Sequence, residues 1–199
     1  MTLPPIDLEY QVDFLKRLLN TPSPTGFTSQ AIDLVEKELS VYPELTLERT
    51  RKGALLAWLP GNDTTQRHAL TAHIDTLGAM VKEIKGNGRL KLTKIGGFAW
   101  NTVEGEGCLV HTRPGQTVRG SILFTKASTH VHGAALGDEK RDDASMEVRL
   151  DLRTTDAEQT KSFGIEVGDF VSFDPRVEVT NGFFRSRHLD DKACAANLV

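Results

Sequence analysis

The feature that most constrains the fold of this 199-residue chain is a change of pattern at Gly78. From there to about residue 178, short runs alternate between apolar and polar residues, among them GCLVHT, GSILF, MEVRLDL and DFVSFD. Glycines and polar breaks separate these runs at frequent intervals, and KGNGRLKL predicts a hairpin turn. This pattern is typical of a small β sandwich or barrel rather than a continuing βαβ layer.

The residues before Gly78 predict helices and buried strands. Apolar residues recur at helical spacing over residues 8–19, and a second helix is predicted from Thr28 or Ser29. LTLERT predicts a half-buried strand, whereas ALLAWL and HALTAH predict buried strands of a sheet covered by helices. Helices together with such strands indicate an α/β layer.

Three segments follow from this division. We expect residues 1–77 to form the N-terminal part of an α/β layer, residues 78–178 to form a separate β-rich insert, and residues 179–199 to return to the first layer. A sheet that opens before residue 77 and resumes near residue 180 still lacks later strands. We therefore expect the α/β layer to be incomplete in this chain.

Charge and composition argue against several classes of protein. The net charge is −3 without a cluster of basic residues, whereas a nucleic-acid binder normally has a basic face. No apolar run approaches the roughly 18 residues of a membrane span, and the first ten residues lack the pattern of a secretory signal. Two cysteines do not make a disulfide framework. We expect a cytoplasmic protein that binds neither nucleic acid nor membrane.

The apolar stretch ALTAHIDTLGAM contains the first candidate site residues, His73 and Asp75. Residues two apart in an extended strand face the same way, so both side chains can point beyond the end of the strand, where open α/β sheets place their sites. The imidazole can bind a metal while the carboxylate orients it from behind. The alternative is a hydrogen-bonded histidine at a strand end, with Asp75 capping the next turn.

A second candidate is the pair Asp190 and Asp191, which precedes the alanine-rich helix start. Acids at this position often cap the helix and interact favourably with its dipole. One carboxylate can also bridge two metals, as two-metal hydrolases require. The two motifs flank the β-rich insert, so both fall on the same predicted α/β layer.

Other residues are weaker candidates. His130 and His132 form an H-x-H in a polar stretch without acids at ligand spacing, which favours a solvated loop. Cys108 follows EGEG in a predicted strand, which favours a buried structural thiol over a nucleophile.

Taken in order, four stretches resemble the glutamyl-aminopeptidase or tetrahedral aminopeptidase family of two-metal peptidases, some of which carry an endoglucanase label. They are LLNTPSPTG, LTAHIDTLG, RLDLRTTDAEQTKSFGIEVGDFVSF and RHLDDKACAANLV. The resemblance implies a phosphorylase/hydrolase-like α/β catalytic domain with a β-rich insert that mediates dimers, which build twelve-subunit shells. It also implies two divalent ions, zinc or cobalt, and the removal of N-terminal residues from peptides.

The same resemblance implies roles for individual residues. His73 would be a terminal ligand to one metal, Asp75 would orient its imidazole, and Asp190 would bridge both metals. Lys192 stands where a basic residue is common, and we assign it no chemical role. Thr76 replaces a usual glutamate, which affects the expected subgroup and substrate preference.

The family's adjacent glutamates, which supply the general base and a ligand, have no counterpart in this sequence. Its further acidic ligand and late histidine ligand are also absent. The chain alone is therefore expected to be inactive. Alternative functions are a deacylase or carboxypeptidase on the same two-metal scaffold, or a non-catalytic assembly module.

Overall fold

The computed structural model describes residues 5–63 and 65–199. The first four residues, which belong to the predicted 1–77 segment and to the stretch compared with a secretory signal, lie outside the described residues. The chain divides into two compact units. The helical unit runs to Thr76 and resumes over Pro175–Val199, and the barrel unit is Leu77–Asp174. The functions that the sequence suggests for these segments remain predictions.

The secondary-structure elements follow in chain order. The helices are α1 (Leu8–Asn20), α2 (Ser29–Leu39), α3 (Thr129–His132), α4 (Ala157–Ser162) and α5 (Leu189–Leu198). The strands are β1 (Thr46–Arg49), β2 (Leu55–Trp58), β3 (Gly78–Ile84), β4 (Leu90–Ile95), β5 (Gly107–His111), β6 (Thr117–Phe124), β7 (Met146–Leu150), β8 (Phe170–Phe173), β9 (Glu178–Thr180) and β10 (Phe183–Arg185). Among the described residues, none of the helices is long and apolar enough to cross a membrane.

The helical unit has a small core formed by α1, α2 and α5. The carboxylate of Asp7 caps α1 by accepting a hydrogen bond from the backbone N–H of Tyr10 at 3.0 Å. The helical spacing of apolar residues then places one face of α1 inside. The buried residues of this core are Phe14, Leu18, Ala31, Ala195 and Ala196.

The prediction of buried strands in this unit is wrong. ALLAWL contains β2, but β2 pairs only with β1 among the described residues, and Trp58 remains 49% exposed. HALTAH is not a strand, and Leu70 is 81% exposed. An apolar run becomes a buried strand only when another backbone pairs with it and another layer covers it. Among the described residues, β2 has a pairing strand but stays largely exposed, and HALTAH has no pairing strand.

The barrel unit contains a closed barrel with the strand order β3-β4-β7-β6-β5-β8, in which every neighbouring pair is antiparallel. The sequence prediction of a sandwich or barrel is therefore confirmed in its barrel form. Alternate residues of the strands point inward, and Val81, Leu92, Val110, Ile122, Val148 and Val171 are among the buried residues of one core. Closure leaves this sheet no unpaired edge strand.

Ion pairs between residues far apart in the sequence stabilise the barrel unit. Glu147 is buried between the side chains of Lys85, at 2.5 Å, and Arg89. Arg119 binds both carboxylate oxygens of Asp174, the last residue of the unit. A buried carboxylate is tolerated when its charge is paired and hydrogen-bonded, as that of Glu147 is.

Candidate functional site

The candidate site is built on an extended segment of the helical unit, residues 73–76, that is held by the loop after α1. The backbone N–H of Thr76 donates to the carbonyl of Ser23 at 2.8 Å, and that of Thr25 donates to the carbonyl of Thr76 at 3.2 Å. Ser23 Oγ also donates to the carbonyl of Ile74 at 2.7 Å. These bonds form an isolated parallel bridge centred on Pro24 and Thr76, so a short loop substitutes for a neighbouring strand.

His73 and Asp75 lie on the same side of this segment, as their spacing predicts. His73 Nδ1 is 3.0 Å from Asp75 Oδ1 and 3.3 Å from the Asp75 carbonyl oxygen. Nδ1 faces two acceptors, the nearer at 3.0 Å, whereas Nε2 faces one carboxylate oxygen at 3.2 Å. The neutral ring therefore favours the proton on Nδ1, which leaves the lone pair on Nε2. Partial burial opposes protonation, but the charges of Asp75 and Asp190 and the hydrogen bonds to Asp75 raise the pKa of His73 above its usual value.

Asp190 faces the other nitrogen of this ring. Its Oδ1 lies 3.2 Å from His73 Nε2, within the roughly 3–4 Å expected of two ligands that share one metal. The Asp190 side chain is 95% exposed, so it has lost little hydration. The structure thus brings His73, Asp75 and Asp190 together, and their roles remain predictions.

Asp191 differs from its neighbour in its surroundings. Hydrogen bonds from the side chain and backbone of Cys194, together with the backbone N–H of His73, lower the pKa of Asp191. The last of these spans 3.3 Å to Asp191 Oδ2. The backbone of Asp190 and Asp191 is non-helical within α5, so Asp191 caps the turns that follow it, as one reading of the sequence predicted, whereas Asp190 remains available.

Lys192 has a structural position that the sequence did not indicate. Its side chain is fully buried, and Nζ donates to the carbonyl oxygens of Leu18 at 2.8 Å and Thr21 at 2.7 Å, at the C-terminal end of α1. Burial lowers the pKa of this amine to about 8. Lys192 thus ties the residues after Asp190 to the end of α1, where helix carbonyls lack partners within the helix.

The donor atoms at this site fit a divalent metal in kind. An imidazole nitrogen and a carboxylate oxygen suit zinc or cobalt, and a histidine ligand backed by a carboxylate is a common arrangement. In number they fall short, because a catalytic zinc usually has three protein ligands. Within residues 5–63 and 65–199, no group of three or more histidine, cysteine or acidic side chains could hold a metal ion.

The weaker candidates lie in the barrel unit. Cys108 is buried in the barrel core, and burial raises the pKa of its thiol to about 12, so it remains protonated and unreactive. His130 and His132 are both exposed on the four-residue helix α3. Neither observation supports a catalytic role.

The sequence reasoning missed Ser23 and Thr25. Thr25 Oγ1 donates to Asp75 Oδ2 at 2.5 Å, on the oxygen that does not face His73. The only local signal was the pair of small hydroxyl residues among the prolines of TPSPTG. That composition is typical of any turn, so nothing in it indicated a partner fifty residues further on.

Comparison with known proteins identifies a family and a relative with similar sequences. The model of the M42 glutamyl aminopeptidase family matches residues 53–199. Over 189 residues the chain is 50% identical to YhfE of Bacillus subtilis (strain 168), a protein provisionally named as an aminopeptidase. This match covers 94% of the chain and 54% of the relative, so the chain spans about half of that relative's length.

Solved structures with a similar fold have low sequence identity. An aminopeptidase, APDkam598 from the archaeon Desulfurococcus kamchatkensis, has a TM-score of 0.81 and 22% identity over 95% of this chain and 52% of its own. The TET1 peptidase of Pyrococcus horikoshii, described as able to assemble into a tetrahedron or a large octahedral shell, has a TM-score of 0.81. It is 20% identical over 94% of this chain and 54% of its own. At these identities the likeness shows the fold.

Proposed function

This chain belongs to the M42 glutamyl aminopeptidase family, and we propose that it provides part of the active site of a metal-dependent aminopeptidase. The observation that carries the proposal is the placement of His73 Nε2 at 3.2 Å from Asp190 Oδ1, with Asp75 accepting from the opposite ring nitrogen. His73 and Asp190, which are far apart in the sequence, lie next to each other within the helical unit. The substrate class that follows is a peptide with a free N-terminus.

Each residue has a separate proposed task. His73 would hold one metal through the lone pair of Nε2, because a proton on Nδ1 is donated to Asp75. The carboxylate of Asp190 is exposed and lies 3.2 Å from Nε2 of His73, so it would hold the same ion and could share a second one. When bound, two divalent ions, zinc or cobalt, would lower the pKa of a water and polarise the scissile carbonyl.

Among the described residues of this site, no carboxylate is left over to act as a general base. Asp75 already accepts from His73, and Asp191 accepts from Cys194. Loss of general-base assistance alone typically slows a reaction by about 10²–10⁴-fold. We therefore propose that the 199-residue chain hydrolyses peptides negligibly, although relatives about twice its length are named as aminopeptidases.

Metal binding tests the site before activity does. The chain is titrated with Co²⁺, and binding is measured by calorimetry and by visible absorbance. His73→Ala and Asp190→Asn should each weaken binding by at least about tenfold, because loss of a residue that only orients a ligand already costs that much. His130→Ala is the matched control, because His130 is an exposed histidine of the barrel unit. Equal affinity in all four proteins would show that the site does not bind this metal.

The activity test compares the chain with the full-length B. subtilis relative. Both are assayed with added Zn²⁺ or Co²⁺ on matched peptides that carry a free or an acetylated N-terminus. We expect the relative to cleave only the free peptide and the chain to cleave neither. Comparable metal-dependent turnover by both would show that a base lies within these 199 residues. Cleavage of the acetylated peptide would favour the alternative of a deacylase or carboxypeptidase.

We also propose that the whole protein forms a symmetric dimer through the barrel unit, on the model of the shells described for the P. horikoshii TET1 peptidase. A small domain buries little apolar surface by itself, and Phe163 and Val167 are exposed on either side of the turn at Gly164. Light scattering at high micromolar concentration should report a dimer or a multiple of it. A monomer for a full-length protein under these conditions would reject the proposal.

A further inference from the structure

The two oxygens of the Asp75 carboxylate have different partners. Oδ1 is 3.0 Å from His73 Nδ1, and Oδ2 accepts the hydroxyl hydrogen of Thr25 at 2.5 Å. A hydroxyl has a single hydrogen to donate, so this bond commits Thr25 Oγ1 to Asp75. A short O–H···O⁻ bond of this kind is charge-assisted and stronger than a neutral one.

The orientation of Asp75 needs such a second donor. The terminal torsion of an aspartate is broad and roughly two-fold, so one hydrogen bond leaves the plane of the carboxylate free to rotate. A donor on each oxygen defines that plane. The Asp75 side chain is 37% exposed, and burial alone therefore does not hold it.

Thr25 is held in turn by the backbone around it. Its N–H donates to the carbonyl of Thr76, and the preceding Pro24 is buried with its φ fixed by the ring. The branched side chain of threonine restricts χ1. The position of the hydroxyl is therefore set by the Thr25 backbone and χ1, independently of Asp75, and little conformational freedom is lost when the hydrogen bond forms.

We infer that Thr25 is a positioning residue, which fixes the Asp75 carboxylate behind His73 and so directs Nε2 of the imidazole towards Asp190. It acts through Asp75, which accepts its hydroxyl hydrogen. The bond also occupies Oδ2, which keeps the carboxylate from swinging round to become a ligand itself. This inference rests on the proposed role of His73, but its main consequence is measurable without any metal.

The test uses the 199-residue chain and three substitutions. Thr25→Val removes the hydroxyl and keeps the shape, whereas Thr25→Ser keeps the hydroxyl. Thr21→Val is the matched control, because Thr21 Oγ1 in the same loop donates to the carbonyl of Arg17 and not to Asp75. Long-range ¹H–¹⁵N spectra of the metal-free proteins, at a pH where the ring is neutral, report which nitrogen of His73 carries the proton.

We expect the parent, Thr25→Ser and Thr21→Val proteins to keep the proton mainly on Nδ1. In Thr25→Val the ratio of the Nδ1–H to the Nε2–H form should fall by about threefold to tenfold, which corresponds to the net contribution of one hydrogen bond. An unchanged ratio in Thr25→Val would overturn the inference. An equal fall in Thr25→Val and Thr25→Ser would also overturn it, because the hydroxyl would then not be the cause.

Titration with Co²⁺ gives a second readout with the same ranking. Thr25→Val should weaken binding by about threefold to tenfold, less than the roughly 10–100-fold expected for Asp75→Asn, and Thr21→Val should leave it unchanged. If none of the proteins binds Co²⁺, the metal site is wrong, while the proton ratio still decides the role of Thr25. If Co²⁺ binds equally to the Thr25→Val and parent proteins, the positioning role fails and the metal site stands.

Discussion

The barrel unit and the helical unit differ in how their strands find partners. In the barrel, β3 pairs with both β4 and β8, so the sheet closes on itself and its apolar residues share one core. In the helical unit, β2 pairs only with β1 among the described residues, and apolar side chains such as Trp58, Leu59 and Leu70 remain exposed. Closure within one continuous stretch of sequence makes a unit independent of contacts from elsewhere. In the helical unit, which carries the candidate site, the described strands form only two-stranded sheets.

The largest expected effect is on the barrel. Phe124 is 1% exposed, lies in the barrel core, and has the guanidinium of Arg141 over its ring at 4.5 Å. Phe124→Ala should lower the free energy of unfolding by about 3–5 kcal/mol because it leaves a cavity in a packed core. Urea unfolding followed by Trp100 fluorescence, with Trp58 replaced by Phe, measures this loss.

The matched control for that substitution lies in the helical unit. Leu70→Ala removes an exposed apolar side chain and should change the free energy of unfolding by no more than about 0.5 kcal/mol. If Leu70→Ala destabilises the protein as much as Phe124→Ala does, Leu70 is buried in solution and the contrast between the units fails.

A smaller effect is expected at Lys192 in the helical unit. Lys192→Met keeps most of the volume but removes the donor to the carbonyls of Leu18 and Thr21. We expect a loss of about 1–3 kcal/mol, the range for buried polar groups left unpaired. Lys16→Met on the exposed face of α1 is the control and should be close to neutral. Equal stability of both variants would show that Lys192 does not secure α5 to α1.

The change in the stability of the barrel with pH should be smaller than the effects of these substitutions. Burial lowers the pKa of His111 below its ordinary 6.5, while Ser172 Oγ lies 2.7 Å from its Nε2. His111 therefore binds a proton more readily in the unfolded chain than in the folded barrel. Stability from this group is complete above pH 6.5 and is lost as the pH falls through the folded pKa. Urea unfolding between pH 5 and 8 should show this decline, and His111→Gln should remove it. An identical decline in both proteins would assign it to another group.

Local patterns in the sequence predicted part of this molecule well. Helical spacing located α1 and α2, and alternation located the barrel strands, because these periods depend on neighbouring residues. The spacing of His73 and Asp75 correctly placed them on one side. The resemblance to glutamyl aminopeptidases is also confirmed by the family match.

What could not be predicted depends on contacts between remote residues. The apolar runs ALLAWL and HALTAH predict burial, but burial needs a covering layer that no local pattern supplies. Likewise, the bonds from Thr25 to Asp75 and from Lys192 to the end of α1 join residues far apart in sequence. Such contacts need the folded backbone before they can be assigned.

The smallest expected change in stability is also the most direct measure of the contrast between the two units. Trp58 in the helical unit is 49% exposed, whereas Trp100 in the barrel unit is 3% exposed and donates from Nε1 to Asp143 at 2.6 Å. Trp58→Phe should alter the free energy of unfolding by no more than about 0.5 kcal/mol. Its remaining emission, from Trp100, should be blue-shifted and poorly quenched by acrylamide, because water and quencher cannot reach a buried indole. The reciprocal Trp100→Phe protein should show red-shifted, readily quenched emission from Trp58. Protection of Trp58 equal to that of Trp100 would mean that β2 is covered in solution, and the contrast in burial between the two units would fail.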